Sequence, residues 1–152
     1  MLNKLTKSFV LIAVLLSGAN LYADERTQAL IETRQGLLKV MGFYIGPMVA
    51  MARQQAPYDA DVVKANATKM AELAGMIPDV FRVDTSGSDL ESESLDKIWS
   101  NTDDFNAKAA NLAEKAAALA ASTEAGQSAF MGAFGATGGT CKSCHDDYRI
   151  QK

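Results

Sequence analysis

One stretch decides how the chain is read: Thr140-Cys141-Lys142-Ser143-Cys144-His145-Asp146-Asp147-Tyr148-Arg149. Both cysteines and the single histidine of the 152 residues lie in five consecutive positions of it. Residues three and four apart share one face of an α-helix, so Cys141, Cys144, His145 and Tyr148 extend a stripe begun by Phe130 and Phe134. The same periodicity recurs upstream, and nothing after residue 23 shows sustained strand-like alternation. Residues 25–54 carry Leu30, Leu37, Leu38, Met41, Ile45, Met48 and Ala52 at helical spacing. Residues 60–76 carry Val63, Ala67, Met70, Leu73 and Ala74, and residues 103–121 carry Phe105, Leu112, Ala116 and Leu119. Four amphipathic stretches joined by three connections predict an all-α protein, an antiparallel four-helix bundle.

Local signals place the joints. Pro47 removes a hydrogen bond from the first helix and predicts a kink. Gln55-Ala56-Pro57-Tyr58 turns the chain, and Asp59 is placed to cap the second helix. Residues 82–96 are polar and turn-rich, the longest loop, with Ile98 and Trp99 as its apolar anchor. Asp103 and Asp104 suit the positive end of the third helix dipole. Ser122-Thr123-Glu124 is expected to cap the fourth helix. Gly135, Gly138 and Gly139 predict a break before Thr140 and room for a bulky group.

The N-terminus reads as an export signal. Lys4 and Lys7 precede an unbroken apolar run of eight, Phe9 to Leu16, and Leu21-Tyr22-Ala23 supplies small residues for cleavage. The domains expected are a signal peptide at residues 1–23 and a four-helix domain at 24–152, with a periplasmic location. The apolar run is well short of the roughly 20 residues that span a bilayer, so no membrane anchor is expected. The uncharged residues 40–52 are also too short and read as a buried helix. Cleavage removes Lys4 and Lys7 and takes the formal charge from −3 to −5, a poor balance for nucleic-acid binding.

Cys-x-x-Cys-His is the attachment signature of c-type haem. Two thiols on one helical face can both bond one porphyrin edge, while the adjoining His145 reaches the iron. Three other uses compete. A Cys141–Cys144 disulfide suits an oxidising compartment but is poorly shaped at this helical spacing. A thioredoxin-like pair normally follows a strand, and none precedes it here. Zinc would need Asp146 or Asp147 to complete its ligands. Haem fits best, one covalent haem c near the C-terminal helix.

A C-terminal Cys-x-x-Cys-His on the last helix of an exported four-helix bundle resembles cytochrome c′, the class II c-type cytochromes. Arg34-Gln35 followed by Leu38 and Met41-Gly42, the turn at 55–60, Ile98-Trp99, and Cys-His-Asp-Asp-Tyr-Arg extend the likeness along the chain. The resemblance implies Cys141 and Cys144 as thioether positions and His145 as proximal iron ligand. It implies Arg34 and Gln35 along the haem edge, with Arg34 toward a propionate, and Leu38 over the sixth coordination position. It also implies Glu93 where the long loop approaches the haem, and Arg149 near the proximal face.

Leucine cannot coordinate iron, so Leu38 in that place implies five-coordinate iron beneath a crowded apolar surface. The resemblance implies binding of NO and CO, with electron transfer to an unidentified redox partner, and homodimers. The alternative is a six-coordinate His/Met electron carrier of the c-556 type. Met41 is its nearest candidate ligand, but relatives place the ligand further toward the N-terminus, and residues 24–40 contain no methionine. Peroxidase chemistry calls for a distal acid or base, and the one histidine is already assigned. The chain is therefore not expected to be an enzyme.

Overall fold

The computed structural model describes the backbone of residues 2–151 and the side chains of 24–151. The expected export signal, residues 1–23, falls outside the described side chains. Four long helices form the bundle: α1 (Leu2–Ala52), α2 (Ala60–Phe81), α4 (Thr102–Ala121) and α5 (Gln127–Tyr148). A single turn, α3 (Lys97–Ser100), lies between α2 and α4. Helix α2 packs on α1 and α4, and α4 packs on α5, whereas α1 and α5 barely touch. Among the described residues no helix is long and apolar enough to cross a membrane.

The periodic residues form the core. Met41, Met48, Val63, Ala67, Met70, Ala74, Phe105, Leu112, Ala116, Leu119 and Phe130 are buried in one cluster. Burying each large side chain contributes roughly 1.5–3 kcal/mol. Asp59 caps α2 as expected, its Oδ1 accepting the Asp61 and Val62 amides at 3.0 Å each. Asp103 and Asp104 occupy the first turn of α4.

Three local expectations are corrected. Helix α2 continues past residue 76, through Pro78, to Phe81, because Ile77 and Phe81 prolong the stripe of Met70 and Ala74 into the core. The fourth helix is not capped by Ser122-Thr123-Glu124; those residues form a 3-10 turn after α4, and Gly126, at φ +83°, is the N-cap of α5. That positive φ is cheap for glycine and strained for other residues. Helix α5 also has no break before Thr140. Thr137 is buried and donates to the carbonyls of Ala133 (2.9 Å) and Lys115 (3.2 Å), tying this glycine-rich segment to α4. Pro47 lies within α1, which remains helical to Ala52.

Candidate functional site

The site is assembled from α5, the inner face of α1, and the 82–96 loop. Cys141 and Cys144 are half-buried on α5, against the core, and both are free thiols. Burial pushes both thiol pKa values up; the Lys108 ammonium opposes this at Cys144. Redox-active Cys-x-x-Cys pairs need the opposite environment, one that stabilises thiolate. Among the described residues no cluster of three or more His, Cys, Asp and Glu is placed to hold a metal ion. His145, exposed beside Cys144, has its pKa lowered by burial around the ring and by Arg149. The neutral imidazole so favoured is the form that ligates metals.

Leu38 occupies an anomalous place on α1. It lies four residues beyond Arg34 and three before Met41, both buried, and so shares their inward stripe. Yet it is 42% exposed, and Gln35 is exposed beside it. Helices α1 and α5 make little contact with each other, so this side of α1 is not covered by α5. Glycines 135, 138 and 139 of α5 have open space where a Cβ would project. An apolar wall on α1, open glycines on α5 and two thiols on one face suit a flat apolar group carried by α5.

Arg34 is buried, at 3% exposure. Its Nε donates to the Val80 carbonyl (2.8 Å), Nη2 to the Val83 carbonyl (2.6 Å) and Nη1 to Thr85 Oγ1 (2.6 Å). The guanidinium lies 5.0 Å from the Phe81 ring and 5.2 Å from that of Trp99. Three of its five donors are thus committed to the end of α2 and the following loop. Trp99 closes the same knot, Nε1 donating to the Phe81 carbonyl at 3.0 Å.

The loop returns to α5 at Glu93. Its carboxylate accepts from Arg149 Nε (2.8 Å) and Nη2 (2.5 Å). Around this pair the backbone forms an antiparallel bridge between Ser94 and Arg149. The Leu95 amide donates to the Tyr148 carbonyl (3.0 Å), and the Ile150 amide to that of Glu93 (2.8 Å). The structure thus brings Glu93 and Arg149 together one helical turn beyond His145. The sequence offers no signal for a pairing across 56 positions.

Tyr148 locks the end of α5 to α4. Its ring meets Phe105 edge-on at 5.2 Å. The hydroxyl donates to Asp104 Oδ2 (2.6 Å) and accepts from Asn101 Nδ2 (2.8 Å). Burial, then the Asp104 carboxylate, raises its pKa to about 12. The folded state keeps this proton longer than the unfolded chain, whose tyrosines titrate near 10. The contribution to stability is complete below pH about 10 and is lost as pH rises toward 12. An ultraviolet tyrosinate titration should therefore show one tyrosine ionising last, and Tyr148→Phe should remove that phase.

The cytochrome c′ family model matches residues 29–149. The chain belongs to the cytochrome c′ family. It is 36% identical to the cytochrome c′ of Cereibacter sphaeroides over 94% of this chain and 98% of the relative. It is 38% identical to a cytochrome c-556 of Agrobacterium tumefaciens, over 80% and 98% respectively. Among solved structures it superposes on the cytochrome c′ from Rhodobacter spheriodes with a TM-score of 0.76 and 36% identity, covering 83% and 98% of the two chains. A nitric oxide complex of a cytochrome c prime mutant from Alcaligenes xylosoxidans matches at 0.69 and 28% identity, covering 82% and 97%. The protein is a c-type haem protein of class II, and its cofactor is one covalently attached haem c, as in the cytochromes c′. The thiols, the neutral imidazole and the exposed inward leucine all fit that group.

Proposed function

We propose that the chain is an exported, periplasmic cytochrome c′ whose haem iron is five-coordinate and binds NO and CO, with electron transfer as a second capability. Cys141 and Cys144 hold the haem as thioethers, and His145 supplies the proximal ligand. The haem contributes a redox-active iron with a vacant coordination position; the chain fixes one face and sets the polarity of the other. Leu38 is the observation that carries the reading. It lies on the stripe of α1 that Arg34 and Met41 bury, yet is itself 42% exposed, and it offers neither a ligand nor a hydrogen bond. Uncharged diatomic gases lose little by entering such surroundings, whereas anions and water gain no partner there. The nitric oxide complex of the Alcaligenes relative supports the same reading.

The residue range 24–152 is the haem-bearing domain in this proposal, with residues 1–23 removed on export. Gln35 lies at the haem edge, and Arg34 offers its two uncommitted donors toward a propionate. We assign no catalytic residues and no reaction.

The c-556 relative favours a second reading, the six-coordinate His/Met carrier. Met41, its nearest candidate ligand, is buried in the hydrophobic core, which favours the open iron. A visible spectrum of the holoprotein separates the two. High-spin bands that change when CO or NO is added to the reduced form are expected. A methionine–iron charge-transfer band, with no response to either gas, would establish the carrier instead.

A second copy of the chain is the proposed protein partner. The outward face of α1 presents Phe43, 75% exposed, with Val40 beside it, in a helix segment without charges. Large exposed apolar side chains in such a setting mark protein contacts. Sedimentation velocity should show a dimer that Phe43→Glu converts to monomer; a wild-type monomer at micromolar concentration would remove this part of the proposal.

A further inference from the structure

The Glu93–Arg149 pair occupies a position that its modest exposure undersells. Its side chains are 39% and 47% exposed, and an ion pair so open to water adds little to stability. It is nevertheless connected to its surroundings on several sides. The two residues lie within the antiparallel bridge that fastens the 82–96 loop to the end of α5. Arg149 donates its own amide to the His145 carbonyl at 3.2 Å, and Gln151 Nε2 donates to the same oxygen at 2.8 Å. His145, Arg149 and Glu93 therefore form one connected chain of contacts from imidazole-bearing residue to loop.

We propose that Glu93 is a positioning residue for the iron ligand: it holds the Arg149 guanidinium in a fixed place beside His145 and balances its charge there, rather than touching the haem itself. This rests on His145 being the iron ligand. The physical basis is the outer-shell effect seen at metal sites, where groups that orient or polarise a ligating histidine tune the metal although they never touch it. A guanidinium is planar and permanently charged, so its location is felt at the iron wherever the pair sets it. With Glu93 in place, the iron senses a held and nearly neutral pair. Without it, Arg149 is an unneutralised cation on a mobile side chain. An unbalanced positive charge disfavours ferric iron, which carries one more positive charge than ferrous.

The test is a double-substitution cycle on the holoprotein, reading the midpoint potential by spectroelectrochemistry for wild type, Glu93→Gln, Arg149→Gln and the pair together. Intact mass first establishes covalent haem, and the loss of the wild-type spectrum in His145→Ala establishes the ligand. Failure at either of those steps is a failure of the haem-site reading, not of the role of Glu93. The expected result is an upward shift in Glu93→Gln, with thermal unfolding nearly unchanged. The same substitution in the Arg149→Gln background should give a different shift, since no guanidinium is then released. Glu93→Lys should shift the potential further in the same direction as Glu93→Gln. Equal shifts in the two backgrounds would reduce Glu93 to a distant charge and overturn the proposal, as would an unchanged midpoint in Glu93→Gln.

Discussion

Replacing Arg34 with leucine is expected to destabilise the protein by about 3–5 kcal/mol, the range for breaking a buried charged hydrogen-bond network. The guanidinium serves the Val80 and Val83 carbonyls and the Thr85 hydroxyl at once. Leucine preserves an apolar body between the Phe81 and Trp99 rings, so the loss isolates the polar part of the contact. For a domain of this size the change lowers the unfolding midpoint by roughly 10 °C or more. Arg34→Lys should recover only a fraction, because an ammonium on a flexible stem cannot reproduce a planar three-way fork. Circular dichroism gives the midpoint. Fluorescence of Trp99, the one tryptophan, reports whether the loop loosens before the bundle melts. A loss below about 1 kcal/mol, the size of an ordinary surface contact, would show that the loop does not depend on Arg34.

Leu38→Ala should have the largest effect on ligand binding. If the incoming gas must push the leucine side chain aside, the displacement costs about 1–3 kcal/mol, as for overpacking elsewhere in proteins. Removing the obstruction should then tighten CO binding to the reduced protein by roughly 10- to 100-fold, at about 1.4 kcal/mol per tenfold. Leu38→Phe should weaken it. Stability is a useful control, because a side chain already 42% exposed contributes little to the core. Optical CO titration measures the affinity. A change smaller than about twofold, well under one tenfold step, would mean that Leu38 does not stand over the iron.

The helices were legible because their signal is redundant: Val63, Ala67, Met70 and Ala74 repeat one periodicity, and single residues cannot contradict it. Glycine is a poor guide where packing outweighs propensity, and a proline inside a helix need not end it. Pro78 was tolerated because Ile77 and Phe81 still reach the core, and α5 stays helical through Gly138 and Gly139, with Thr137 tied to α4. The haem motif was legible for a different reason, since its five residues are contiguous and its chemistry depends on local spacing. The surroundings of the motif were not. Arg34 meets Thr85 across 51 positions and Glu93 meets Arg149 across 56. Such partnerships arise from how the loop folds back, and neither residue type announces its partner. The resemblance implies Glu93 and Arg149 near the haem, but nothing in it says that they pair with each other.

That grip also bears on the order in which the protein assembles. Contacts of α1 with α2, α2 with α4, and α4 with α5 all join successive long helices, and short sequence separation makes such pairings quick to form. The clasp must instead close a long segment whose ends gain only a bridge, two backbone bonds and an exposed ion pair, so its loop-closure entropy is poorly offset. It is therefore expected to lock last and fray first, as a small cooperative unit above a more durable bundle. Hydrogen exchange at the Ile150 amide, faster than at the core of α4, would mark that boundary. The residues one turn beyond His145 then lie in a weakly held part of the fold, and a modest change in that loop can alter their placement without unfolding the protein.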